Sequence, residues 1–181
     1  FFKITEGESS GLWSVLRLSE DEVLKGSLLI TLYENLRWKT ISPQGFRDEM
    51  LAYLPNESNS LLFSMALSYL GDCQRIFPSD SRPLEQALWK IVTTNPVSQH
   101  RLQAFRLYRS IADSEEAVQR LYTLWQERKA PKDCALSESD YIGLSYILAI
   151  HLPEKADKII ATQLSRIQNP DRKKEYQFIS P

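Results

Sequence analysis

Helix start and stop signals recur along this chain at intervals of roughly 16–23 residues, and that punctuation restricts the fold more than any composition figure does. The first clear segment opens at Ser19-Glu20-Asp21-Glu22. Ser19 is placed to cap the amide of Glu22 while the Glu22 carboxylate reaches back, which is a capping box. Leu24, Leu28, Leu32 and Leu36 then recur every four residues, with Thr31 and Asn35 beside them, as one apolar stripe. Ser42-Pro43 restarts the chain with a cap and a first-turn proline. Phe46, Met50, Leu51 and Leu54 supply the face of that helix, and Pro55 ends it.

The same grammar continues. A long apolar helix runs from Leu61 and Leu62 through Met65, Ala66, Tyr69, Leu70 and Cys73 to Ile76 and Phe77, closed by Pro78. Pro83, Leu84, Leu88, Ile91 and Val92 form another, stopped at Asn95-Pro96. Ser98 opens a helix carrying Leu102, Phe105, Tyr108 and Ala112. Asp113 and Glu116 make an acidic capping box for Val118, Leu121, Leu124 and Trp125, before Pro131. Ser137 and Asp140 cap a helix with Tyr141, Leu144, Ile147, Leu148 and His151. Pro153 starts the next, with Ala156, Ile159, Ile160, Leu164 and Ile167. Asn169-Pro170 ends it and caps a last helix with Tyr176, Phe178 and Ile179.

Composition points the same way. There are 6 glycines in 181 residues and 25 leucines against 5 valines. Unbranched side chains keep rotamer freedom in a helix, whereas β-branched ones lose it. The expected fold is therefore all-α.

Helix starts near 20, 43, 60, 81, 98, 114, 137, 153 and 170 make alternate helices recur at about 40, 38 and 39 residues in one set, and about 38, 33 and 39 in the other. A two-helix unit of that length is the mark of HEAT-like or armadillo-like stacked hairpins, an α-α superhelix of about eight to nine helices, rather than a closed bundle. A 34-residue tetratricopeptide array fits less well, although Ala66-Leu67-Ser68-Tyr69-Leu70-Gly71 faintly resembles one of its helices. No linker divides the chain, so residues 1–181 read as a single helical-repeat domain, with 1–18 as a lead-in and 19–181 as repeats. Phe1 is not a methionine and opens no signal-peptide pattern, and Ser180-Pro181 falls inside a patterned segment. The chain is expected to be an incomplete piece of a larger protein.

Charge narrows the partners. With 43% apolar residues, 25% charged residues and a formal net charge of -1, the chain has enough apolar surface to order itself but no basic excess for nucleic acid. No apolar run approaches the roughly 18 residues of a membrane span, and no segment joins a basic face to a broad apolar one, so neither nucleic acid nor membrane is an expected partner. Cys73 continues an apolar helical face as a small core residue, and Cys134 sits after Pro131 in a loop. Two such thiols leave the compartment open, cytoplasmic or exported.

Chemistry is sparse. A zinc hydrolase helix needs His-Glu-x-x-His, and His100 and His151 are each alone. His151 extends the Leu144 and Leu148 stripe and reads as a satisfied boundary residue; His100, in a first turn, reads as a cap-region or solvent-facing residue. There is no nucleophile elbow and no phosphate-binding glycine loop. Asp21-Glu22, Asp48-Glu49 and Glu115-Glu116 fall in first turns or on polar faces, where they suit the helix dipole. No catalytic residue, metal ligand or cofactor is expected in this chain.

Two cationic patches remain. Arg101, Arg106 and Arg109 share one helix, followed closely by Glu115 and Glu116, and read as a solvated or ion-paired face. In Asn169-Pro170-Asp171-Arg172-Lys173-Lys174 the cations oppose their own helix dipole, so Arg172 needs a compensating anion. That anion is either a carboxylate on a neighbouring helix, the favoured reading, or a bound ligand, which makes Arg172 the one candidate substrate-binding residue.

Three stretches resemble a known family. The runs Leu136–Leu144 (LSESDYIGL), His151–Asp157 (HLPEKAD) and Arg166–Pro181 (RIQNPDRKKEYQFISP) resemble the C-terminal helical domain of M1-family zinc aminopeptidases, aminopeptidase N-like enzymes. The Asn-Pro-Asp-Arg segment followed by Ser-Pro is the most specific part, and Leu84–Thr94 and Arg101–Arg106 add to the likeness. The resemblance covers much of residues 12–181 and consists of packing and capping residues. It implies a HEAT-like helical bowl that covers the active-site cavity and restricts access to peptides. It also implies that zinc and the catalytic motifs belong to a missing catalytic domain of the same chain, so the partners are that domain and the peptide substrates. The competing expectation is a free-standing HEAT-like or tetratricopeptide-like interaction scaffold whose concave face holds a partner helix or extended peptide.

Overall fold

The computed structural model describes residues 3–179, of Glu6 the backbone alone, and Ser180-Pro181 of the family-like run lies outside them. Among the described residues are ten α-helices and two single 3-10 turns, with no strand. In chain order the helices are α1 (Glu6–Leu18), α2 (Glu22–Arg37), α3 (Pro43–Tyr53), α4 (Ser60–Ile76) and α5 (Arg82–Thr94), then α6 (Ser98–Ile111), α7 (Glu115–Glu127), α8 (Glu138–His151), α9 (Ala156–Arg166) and α10 (Pro170–Ile179). None is long and apolar enough to cross a membrane.

Most boundaries follow from capping. Ser42 caps α3 through the amide of Gly45 at 3.0 Å, with Pro43 in the first turn as expected. Ser137 and Asp140 form the reciprocal capping box of α8. Asn169 Oδ1 accepts from the amides of Asp171 and Arg172 at 3.0 and 3.1 Å, which starts α10.

Two caps differ from the sequence reading. Asp21, not Ser19, starts α2: its Oδ1 accepts from Val23 and Leu24 at 2.9 and 3.0 Å, and Ser19 Oγ instead takes the Asp21 amide. A carboxylate is favoured there because it also meets the positive end of the helix. Ser114, not Asp113, caps α7 through Ala117. The displacement comes from Glu85 of α5, a buried carboxylate that accepts from the amides of Asp113 and Ser114 at 2.8 and 3.1 Å and from the Ser114 hydroxyl. One helix thus supplies the anion for another helix's N-terminus.

The lead-in stretch is itself helical. Thr5 and Glu8 form a capping box, and Trp13 and Leu16 of α1 are buried beside Phe46 of α3. In α2, the every-four leucine series drifts about 40° per step around a helix of 3.6 residues per turn. Leu24 therefore comes out to solvent while Leu28, Leu29, Leu32 and Leu36 stay buried. Leu61, expected on the α4 face, is exposed for the same reason of phase; Leu62, Phe63, Ala66, Leu67, Leu70 and Cys73 make the stripe.

The helices pack in pairs as a two-layer stack. α5 lies on α6 and α8 on α9, while α2, α4, α6 and α8 touch in that order as one layer. Those four begin at Glu22, Ser60, Ser98 and Glu138, intervals of 38, 38 and 40 residues. The odd helices are tied likewise. Arg17 of α1 binds Glu49 of α3, Glu85 of α5 reaches the cap of α7, and the Trp125 indole of α7 donates to Gln163 of α9 at 2.8 Å. A single hydrophobic core runs through both layers from Trp13 to Ile159.

Candidate functional site

The densest polar ties meet at the first turn of α8. Asp140 is held there by its own capping role, since Oδ2 accepts from the Ser137 amide and hydroxyl at 3.0 and 2.7 Å. Arg106 of α6 donates to both of its carboxylate oxygens, Nε to Oδ1 at 2.8 Å and Nη2 to Oδ2 at 3.1 Å. Burial alone would raise the Asp140 carboxyl, but Arg106 and the Ser137 donors outweigh it and hold it at about 2.

Arg109 arrives one turn further along α6. Its Nη1 donates to the Asp140 carbonyl at 3.0 Å and stands 3.8 Å from Oδ1. The guanidinium lies over Gly143, where an added Cβ would sit 2.6 Å from Nη1, so the missing side chain is what lets the arginine pass. Burial, joined by repulsion from Arg106, pushes the Arg109 guanidinium down from its usual value. Two guanidiniums share one carboxylate.

Arg172 reaches the same turn from α10. Its Nη1 lies 3.3 Å from Glu138 Oε1, while Glu138 Oε2 accepts the Gln168 amide at 2.7 Å. Those contacts hold the Glu138 carboxyl below its usual range, the Gln168 amide acting most strongly. The compensating anion anticipated for Arg172 is thus a carboxylate of a neighbouring helix. Arg172 also borders a cavity of about 220 Å³ with Ser139, Ile142, Tyr146, Glu175 and Tyr176. Around this turn the three guanidiniums of Arg106, Arg109 and Arg172 meet the carboxylates of Asp140 and Glu138, and Glu175 on the same cavity wall balances their charge.

Arg101 does not belong to this group. It donates to the carbonyls of Asn95 and Lys132 and pairs with Asp133 at 3.2 Å, fastening the α7–α8 loop to α6. The acidic partners of these arginines are Asp133 and Asp140, not Glu115 or Glu116; Glu116 pairs with Arg120 within α7. The ion-paired reading of the α6 arginines holds, with partners about one repeat away.

His100 departs furthest from its sequence reading. It is fully buried rather than solvent-facing, stacked on Phe63 of α4 with ring centroids 3.9 Å apart and planes 4° apart. Nε2 lies 3.0 Å from Ser60 Oγ, and Nδ1 is buried without a partner. A serine-histidine pair invites a catalytic reading, but no carboxylate orients Nδ1 and the ring is sealed from solvent, so the pair lacks the third member such chemistry uses. Burial pushes the imidazole below its usual value, opposed by the charge of Glu57. His151 ends α8 half-buried.

Both thiols are buried and free, Cys73 in the core of α4 and Cys134 in the α7–α8 loop. Burial raises both, Cys134 to about 11, which keeps them protonated and unreactive. Among the described residues no group of three or more His, Cys, Asp or Glu side chains is arranged to hold a metal ion. Comparison with protein-family models, with curated proteins and with solved structures found no match.

Proposed function

We propose that this chain is a non-catalytic helical domain of an M1-type zinc aminopeptidase, walling the cavity in which a separate catalytic domain removes N-terminal residues from peptides. One observation carries the reading. The first and last of the family-like stretches meet at one structural joint, where Glu138 binds both the Gln168 amide and Arg172. A resemblance spread over a coherent joint supports kinship of a folded unit better than scattered matches do. The stacked helical pairs are also the architecture that resemblance implies. Walls of this kind act sterically, admitting short peptides and refusing folded chains.

The test uses the parent reading frame. Its purified product is expected to carry a His-Glu-x-x-His segment upstream, to bind zinc and to hydrolyse aminoacyl substrates, while the 181-residue chain alone does neither. A parent with an unrelated upstream segment and no such activity contradicts the proposal. A second reading, an interaction scaffold, draws on the large apolar side chains left open on α2 and α4: Val23, Leu24, Ile30 and Leu61. It expects a full-length protein without peptidase activity, in which substitutions there abolish capture of a partner peptide.

A further inference from the structure

The C-terminal ends of α4 and α6 border one groove in the middle of the stack, and both lack backbone donors that usually finish a helix. In α6 those donors are taken elsewhere, because the amides of Asp113 and Ser114 bind the buried Glu85 carboxylate. The carbonyls of Arg109 and Ser110 are left without a backbone donor among the described residues. In α4 the Phe77 amide donates to Cys73 and Pro78 has no N–H to follow it, so the Gln74 carbonyl is open in the same way. The cavity between the two ends measures about 610 Å³. Leu67, Leu107 and Ile111 form its apolar wall, with Ser110 and Asp113 at the α6 end.

Charge at this groove is unmatched. Each helix end carries the negative pole of its dipole, which a cation in the last turn would offset. Arg75 of α4 is bound instead to Asp72, and Arg109 of α6 is committed to Asp140 of α8. The Asp113 carboxylate is exposed and has no hydrogen-bond or ion-pair partner among the described residues. The groove thus sets an apolar wall beside open carbonyls and a free carboxylate, all of them acceptors.

Lysine has the matching form. Its four-carbon stem lies along apolar surface, and its ammonium carries three donors and no acceptor. We propose that this groove binds a lysine side chain of a partner peptide. The stem lies against Leu67, Leu107 and Ile111, and the ammonium binds Asp113 and the open α6 carbonyls. The partner is a separate molecule, and the inference does not depend on the peptidase reading.

Fluorescence anisotropy of a labelled pentapeptide, Ala-Leu-Lys-Leu-Ala with both ends blocked, tests it on the 181-residue protein. Saturable binding is expected with Kd on the order of 10–100 µM. Norleucine in place of the lysine keeps the stem but deletes the ammonium, and weakens binding about tenfold or more. Asp113→Asn, at an exposed site that leaves the fold intact, does the same. Ser110→Lys gives the α6 end a cation of its own, which suits the dipole, so it abolishes peptide binding while the melting temperature holds or rises. No saturable binding, equal binding of the norleucine peptide, or binding indifferent to Asp113→Asn or to Ser110→Lys overturns the proposal. So does a parent protein that fails to bind the peptide, since a segment of its own chain would then fill the groove.

Discussion

The α4–α6 and α6–α8 joints occupy equivalent places in the stack, one repeat apart, yet they are built from different chemistry. The first is neutral: a buried imidazole lies flat on Phe63 and shares one hydrogen bond with Ser60. The second is ionic: Arg106 grips both oxygens of Asp140, and Arg109 takes its carbonyl. Stacking geometry fixes where helices meet, and the side chains at the meeting point then decide what conditions the joint tolerates. A neutral buried ring resists salt but fails when protonated; a paired carboxylate survives mild acid but depends wholly on its partner.

The largest expected effect comes from removing the hub of the ionic joint. Asp140→Ala deletes a capping box and leaves Arg106 and half-buried Arg109 without their carboxylate. Discounted for the exposure of Arg106, it should cost about 3 kcal/mol in denaturant-measured unfolding. A cost under about 1 kcal/mol would show that the joint rests on apolar packing alone.

Acid should separate the joints in sequence. His100 has its folded value lowered, so its contribution is complete above the unfolded value near 6.5 and is lost as pH falls below it, toward the folded value. The loss is limited to about 1.4 kcal/mol per pH unit. Asp140 is also lowered, to about 2, so its contribution persists until pH falls below the ordinary 3.8 and disappears toward about 2. Unfolding curves between pH 7 and 5 should therefore slope in the native protein and flatten in His100→Phe, which keeps the stack on Phe63. An equal slope in both proteins would exonerate His100.

Glycine substitutions sharpen the contrast on a smaller scale. Gly143→Ala would put a methyl 2.6 Å from Arg109 Nη1 and 2.8 Å from its Cζ, and the guanidinium is pinned by the Asp140 carbonyl. It should cost about 1–2 kcal/mol. Gly71→Ala in α4 meets only the Leu107 Cδ1 at 2.8 Å, the end of a side chain free to turn, and should cost under about 1 kcal/mol. Smallest of all, Arg172→Ala breaks a partly exposed pair with Glu138 and should lower stability by at most about 1 kcal/mol, leaving peptide KM in a peptidase parent unchanged. A selective loss of kcat/KM for peptides with a free carboxylate would give Arg172 a ligand-binding role instead.

What the sequence made legible was local. Ser42-Pro43, the Ser137/Asp140 box and Asn169-Pro170 act within four residues, and each stands as read. α1 was missed although Thr5 and Glu8 repeat that capping signature ahead of Leu12, Trp13 and Leu16. Gly7, Gly11 and three serines weaken the helical pattern, and burial against Phe46 outweighs them. Asp113 lost its cap to Ser114 because Glu85, 28 residues earlier, intervenes. His100 looked solvated because Phe63 lies 37 positions away, and Arg106 finds Asp140 across 34. Those separations equal about one repeat, so the spacing that revealed the stack also held the register of its partners. Side-chain pairing across that register remained invisible to helical periodicity alone.

Hydrogen exchange resolved by helix, at pH 7 and again at pH 5.5 with intrinsic rates corrected, tests the difference between the joints most directly. Amides of α4 and α6 around Phe63 and His100 should lose protection at the lower pH, while those in the first turns of α8, behind Asp140, keep theirs. Equal loss along the whole stack, or loss beginning in α8, would contradict the account.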